Sequence, residues 1–203
     1  FSILEAFGDY GFNKAHSISY AVMAYRTVYL KEHFPLEYFS ALLSLYMDIP
    51  SRLQLYLSEV RRKGIKLLRP DVNRSDIGFT PETGAIRTGL ALVKNLGPRG
   101  IEQILKARQE RPFADFFDFC QRVDRRAVGT RALESLILAG AFDSFGLSRP
   151  ALLLSVKPVA KQRRAAAGQL SLFAEESPFK GLAEEVNLPD FAPEQKAYHE
   201  LCS

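Results

Sequence analysis

The stretch 93–119, VKNLGPRGIEQILKARQERPFADFFDF, decides the fold. Apolar Val93 leads into a tight turn that holds Gly97 and Gly100. A helix follows with Ile101, Ile104 and Leu105 on one face, at the three-to-four spacing of an amphipathic helix. Glycines between two short helices let backbone N–H groups approach a phosphate, and the next helix adds the positive end of its dipole. Lys94, Arg99, Lys106 and Arg108 stand alongside and can supply side-chain charge, while Asn95 sits in the turn itself. The same residues also suit a plain helix–turn–helix corner with a glycine cap. The local basic excess favours binding to a polyanion backbone, a mode that is independent of sequence and sensitive to salt.

Immediately downstream, 128–146 reads VGTRALESLILAGAFDSFG. Val128, Leu133, Leu136, Ile137 and Phe142 form an apolar face, and Gly140 is a natural stop. Alone, this second helical pair reads as packing support for the first. Together the two form a tandem helix-hairpin-helix module shaped to grip duplex backbone from the minor-groove side. No repeat of fixed period appears, although the two pairs are loosely related.

Upstream, IGFTPETGAIRTGLALV (77–93) predicts a short β-hairpin, with Phe79 and Ile86 flanking the turn Pro81-Glu82-Thr83-Gly84. Before it, IKLLRPDVNRSD (65–76) has a strand-like run and then the turn formers Pro70, Asp71 and Asn73. Residues 17–46 carry a helical pattern through Tyr20, Ala24, Val28 and Leu30, broken at Phe34-Pro35. A second helix is expected from Leu36 to Tyr46. A third runs from Ser51, as N-cap, to Lys63 with Gly64 as its stop. Further short helices are expected at 97–109, 114–122 and 129–139. From Leu147 the pattern weakens, and 157–203 reads as a linker or largely disordered tail, small-residue-rich and then proline- and glutamate-rich. The expected fold is mainly α, with one small β-hairpin.

With 203 residues and 47% apolar content, the chain can bury a real core. Its net charge of +4 is unevenly placed: 11 Lys and Arg against 9 Asp and Glu over 1–90, 14 against 7 over 91–165, and 2 against 7 over 166–203. A basic middle suits nucleic acid, and equally a solvated helical surface. Cys120 and Cys202 lack partners at metal-ligand spacing, and His16, His33 and His199 lie far apart, so neither a disulfide framework nor a metal site is expected. No bilayer-length apolar run and no signal-peptide pattern occurs, so the expectation is a cytoplasmic chain with no membrane contact. The chain opens on Phe1 inside an amphipathic pattern, which reads as a fragment.

Four blocks in order carry a resemblance: FGDYGFNKAHSISYAVMAYRTVYLKEHFPLEYFSALLS (7–44), GIKLLRPDVNRSDIGF (64–79), RTGLALVKNLGPRGIEQILKAR (87–108) and RALESLILAGAFDSFG (131–146). They resemble the alpha subunits of bacterial DNA polymerase III, the C-family replicative polymerases. The resemblance implies three parts: the C-terminal part of the fingers over 1–75, a hairpin and helix-hairpin-helix DNA-binding module over 76–156, and a tail over 157–203. It places Asn13, Lys14, His16 and Tyr20 beside the nascent base pair. On the residues alone, capping and packing are favoured: Asn13 and Ser17 as helix caps and Tyr20 as a core residue. The family's metal-binding aspartates and their Mg2+ belong to a palm that precedes the fingers, so no catalytic residue, metal or cofactor is assigned to this chain.

Gln169, Leu170, Ser171, Leu172 and Phe173 match the family's clamp-binding peptide, with Leu172 and Phe173 suited to an apolar pocket and Gln169 to its polar rim. A short segment packed on its own domain would fit the same five residues; their place after the helix-hairpin-helix module favours the peptide. The implied partners are double-stranded DNA, the sliding clamp (beta subunit) and, through the full-length protein, other replicase subunits. A stand-alone helix-hairpin-helix repair factor and a clamp-binding adaptor are the alternatives. Two departures bear on the hairpin. Asn95-Leu96-Gly97 stands where the family has Gly-x-Gly, and asparagine tolerates the left-handed conformation better than most residues. Pro98 removes one backbone donor to phosphate. Ala15 replaces a common serine, a small change.

Overall fold

A computed structural model describes residues 14–156 and 190–192. Asn13 and the peptide Gln169–Phe173 lie outside the described residues.

Helix α1 (Lys14–His33) ends where Pro35 forces Phe34 out of helical geometry, at φ −132°, and α2 (Pro35–Leu45) starts at once. Helix α3 (Pro50–Arg62) begins one residue before the expected Ser51. Ser51 is not the cap: Ile49 takes that place in an extended conformation, and the fixed φ of Pro50 sets the first turn without a side-chain cap. Gly64, at φ +73°, ends α3 with bonds from its N–H to Arg61 O and from Ile65 N–H to Val60 O, closing the last carbonyls in a left-handed cap.

The expected hairpin is present, with a shorter turn. Strands β2 (Thr80–Glu82) and β3 (Ala85–Arg87) pair antiparallel across Thr83-Gly84, so Pro81 and Glu82 belong to the ladder. A third strand, β1 (Lys66–Leu68), pairs parallel with β3, in register Lys66 to Ala85, giving the order β1-β3-β2. A 3-10 turn (Leu90–Leu92) leads to α4 (Pro98–Glu110), α5 (Phe116–Arg122) and α6 (Thr130–Ala139), close to the predicted spans. After a 3-10 turn at Asp143–Phe145, residues 149–156 form a further helix, α7. The fold is mainly α with a small open sheet.

Two apolar clusters hold these elements. One joins α2, α3 and the sheet through Phe39, Leu43, Val60, Phe79 and Ile86. The other fills the space between α4, α5, α6 and α7, and includes Val72 from the turn after β1. At its centre Phe116, Phe119 and Phe142 meet edge to face, with ring centroids 4.9 and 5.1 Å from Phe142. The predicted apolar face of the second pair, Val128, Leu133, Leu136, Ile137 and Phe142, is buried throughout.

Between the clusters, the turn at 71–75 is built from its own side chains. Asp71 Oδ1 accepts from Asn73 N–H and Arg74 N–H at 2.8 and 3.2 Å. Ser75 Oγ accepts from Asp71 N–H and donates to Thr88 O at 2.7 Å, tying the turn to the end of β3. Arg87, almost fully buried, holds Glu82 across the hairpin and donates to Arg69 O at 2.8 Å.

Candidate nucleic-acid interface

Two glycine turns lie side by side. In the first, Asn95 adopts φ +63°, the left-handed setting its residue type permits, and Gly97 caps α4 in an extended conformation. In the second, Gly129 caps α6 with nearly the same backbone, φ −70° and ψ 173° against −80° and 168° at Gly97. Asp124 shapes this second turn, its Oδ1 accepting from Arg126 N–H at 2.9 Å.

Gly100 fixes how close the turns come. A Cβ there would lie 3.0 Å from Ala127 O and 2.8 Å from Leu96 Cδ1, so only glycine lets the start of α4 touch the second turn. Its N–H is engaged within the helix, donating to Gly97 O at 2.9 Å. Gly100 is therefore a packing glycine, whereas Gly97 has open space around its Cβ position. Asn95 Nδ2 donates to Ser135 Oγ on α6 at 3.0 Å, a second tie between the two hairpins.

The cations divide into two groups. Lys94, Arg99 and Lys106 are exposed, and their side chains engage no other described residue by hydrogen bond or ion pair. Arg108 is different: its guanidinium donates to the carbonyls of Ser75 and Val72 and so braces α4 against the 71–75 turn. Burial pushes its pKa below the ordinary arginine range, with Asp76 and Asp71 opposing that shift. Arg111 and Arg122 are likewise committed inside the module, both to Asp118. Burial alone would raise the Asp118 pKa, but the Ala114 N–H and the two guanidiniums outweigh it and hold the carboxyl below its ordinary value.

The sequence reading missed Arg126 and Arg131, both exposed and engaging no described residue through their side chains. Arg131 is the second residue of α6, as Arg99 is of α4. The signal was present: Val128-Gly129-Thr130-Arg131-Ala132-Leu133 repeats the pattern of Leu96-Gly97-Pro98-Arg99-Gly100-Ile101, apolar-Gly-x-Arg-small-apolar, 32 residues later. On α1, His16 and Tyr20 share one face, ring centroids 4.4 Å apart, with Tyr20 60% exposed. Lys14 opens the same helix.

Among the described residues, no group of three or more His, Cys, Asp and Glu is placed to hold a metal ion. No helix among them is long and apolar enough to cross a membrane.

Comparison with known proteins finds relatives over most of this chain. Residues 64–152 match the model of the helix-hairpin-helix motif, a span that contains the sheet and both glycine turns. Over 180 residues, 87% of the chain, it is 37% identical to the DNA polymerase III subunit alpha of Bacillus subtilis. The chain is a homologue of bacterial DNA polymerase III alpha subunits. The Thermus aquaticus subunit is 41% identical over 181 residues and that of Vibrio cholerae 40% over 158, covering 86% and 77% of the chain. The chain spans only 14–16% of the length of these alpha subunits.

Proposed function

We propose that this chain is the duplex-gripping part of a C-family replicative polymerase, holding DNA backbone behind the active site of the larger enzyme. The observation that carries this reading is the pair of adjacent glycine turns, each opening a helix whose second residue is an exposed arginine. Arg99 and Arg131, with Lys94, Lys106 and Arg126, offer exposed charge to backbone phosphates, a contact that needs no base edge. Arg108 serves the fold. Pro98 removes one donor from the first turn, so side chains carry more of the contact there than backbone N–H groups do.

In the same reading Asn13, Lys14, His16 and Tyr20 face the nucleotide side of the fingers. Gln169, Leu170, Ser171, Leu172 and Phe173 tether the enzyme to the sliding clamp. The parent protein is a DNA-directed DNA polymerase acting in the cytoplasm with other replicase subunits. The palm aspartates and their Mg2+ are supplied outside this chain, which extends no primer alone.

The test is duplex binding followed by fluorescence anisotropy over a salt series. Each neutralised phosphate contributes about −0.9 to the slope of log K against log salt. Replacing Lys94, Arg99 and Lys106 by Ala should flatten that slope by about three such contributions while leaving the melting curve in place. An unchanged slope would assign these cations to solvation alone.

A further inference from the structure

Residues 190–192 are far in sequence from the module and yet lie on it. Helix α7, 149–156, opens with Ser148 and Arg149. Ser148 Oγ accepts from Ala151 N–H at 3.4 Å, which leaves the earlier N–H of Arg149 to another group. That group is Asp190: its Oδ1 accepts from Arg149 N–H at 3.3 Å, across 41 residues. The same oxygen accepts from Phe191 N–H at 2.9 Å, and Phe191 is half-buried.

The head of α7 is a firm place to dock. The Arg149 side chain is 1% exposed and inserts behind α6, donating to Asp143 Oδ1 and Oδ2 at 3.0 and 2.8 Å and to Leu138 O at 2.8 Å. Asp143 in turn accepts from Arg69 at the end of β1, at 3.1 Å. The backbone of Arg149 is thus pinned from the inside, and its amide is held at a fixed position at the positive end of a helix.

We propose that Asp190–Ala192 is a docking strap of the helix-hairpin-helix module, with Asp190 the positioning residue that latches it to the first turn of α7. The strap makes residues 190–192 part of the helix-hairpin-helix body.

The test uses the full 203-residue chain with Cys202→Ser and buried Cys120 left in place. Nitroxide labels go on Ala192→Cys and on Gln109→Cys, the latter on the exposed side of α4. Double electron–electron resonance should give a narrow distance distribution. Asp190→Ala should lower the ratio of docked to released strap about fivefold, the effect of losing one helix-capping acceptor. Asp190→Asn keeps the accepting oxygen and should restore most of the narrow component. A broad distribution in the chain with Asp190 intact overturns the proposal, as does a distribution that Asp190→Ala leaves unchanged.

Discussion

The Asn73 side chain and the Phe113 backbone exchange two hydrogen bonds, Nδ2 to Phe113 O at 2.9 Å and Phe113 N–H to Oδ1 at 2.8 Å. A carboxamide here stands in for a strand, completing both backbone groups of a residue 40 positions away. It joins the turn after β1 to the link between α4 and α5, where Phe113 is buried. Replacing Asn73 by Asp puts a carboxylate oxygen against a carbonyl oxygen and removes one donor. The expected loss is about 1–3 kcal/mol, the cost of leaving a buried partner unsatisfied. Urea denaturation of N73D against the unmodified chain measures it.

Asn95 tests the first turn separately. Asn95→Gly keeps the left-handed backbone and gives up only the bond to Ser135, about 1 kcal/mol. Asn95→Val must in addition hold a β-branched residue at positive φ, at least another 1–2 kcal/mol. The ordering Gly above Val in melting temperature is the expected result.

The two glycines of that turn should behave oppositely. Gly100→Ala drives a methyl into Ala127 O and Leu96, and overpacking of this kind costs about 1–3 kcal/mol. Gly97→Ala meets nothing within 4 Å at an ordinary φ of −80° and should leave stability within about 0.5 kcal/mol. Thermal melts of the two variants decide this directly.

Acid should loosen the hairpin and the α4–α5 link. The hydrogen bond from Arg87, with the nearby charge of Arg74, holds Glu82 below its ordinary 4.5 despite burial, and Asp118 is held below 3.8. A carboxyl with a depressed folded pKa lends stability that is fully present above the ordinary value and is lost as pH falls through the folded one. Melting temperature should therefore be level above about pH 5 and fall below it. Glu82→Gln should lower the plateau and make the acid decline shallower.

Helix α1 presents apolar side chains on every side, among them Tyr25 at 70% and Val28 at 66% exposure. Helices of this kind are normally enclosed by neighbours. Expressed alone, the chain should self-associate through α1, and Tyr25→Glu with Val28→Glu should shift it toward monomer in sedimentation velocity. Duplex binding by the glycine turns should survive the change.

Much of this was readable from residues. The break at Phe34-Pro35, the stops at Gly64 and Gly140, and the left-handed role of Asn95 follow from local chemistry and are present in the structure. The parallel pairing of β1 with β3 was not readable, because it depends on a partner about 20 residues away rather than on any local pattern. Helix α7 escaped because Pro150 and the flanking polar residues masked its start. By residue type Arg108 belongs with Lys94, Arg99 and Lys106 as a source of charge beside the turn. In the structure 101, 104, 105 and 108 form one helical stripe, and the Arg108 guanidinium turns with it toward the 71–75 turn, donating to Ser75 O. The peptide Gln169–Phe173 falls outside the described residues.

The parallel register of β1 on β3 also orders events in time. The β2–β3 hairpin closes over two residues, and hairpins of this size form in about 1–10 μs. Both glycine turns likewise connect neighbouring helices. Strand β1 can join only after the chain from 69 to 84 has looped round to meet β3, which carries an added entropy of closure. The β1 edge should then be absent from the rate-limiting step. Substitutions at Leu67, paired with Ile86, should speed unfolding while leaving the refolding rate nearly untouched. The two glycine turns would be assembled before the sheet that later steadies them.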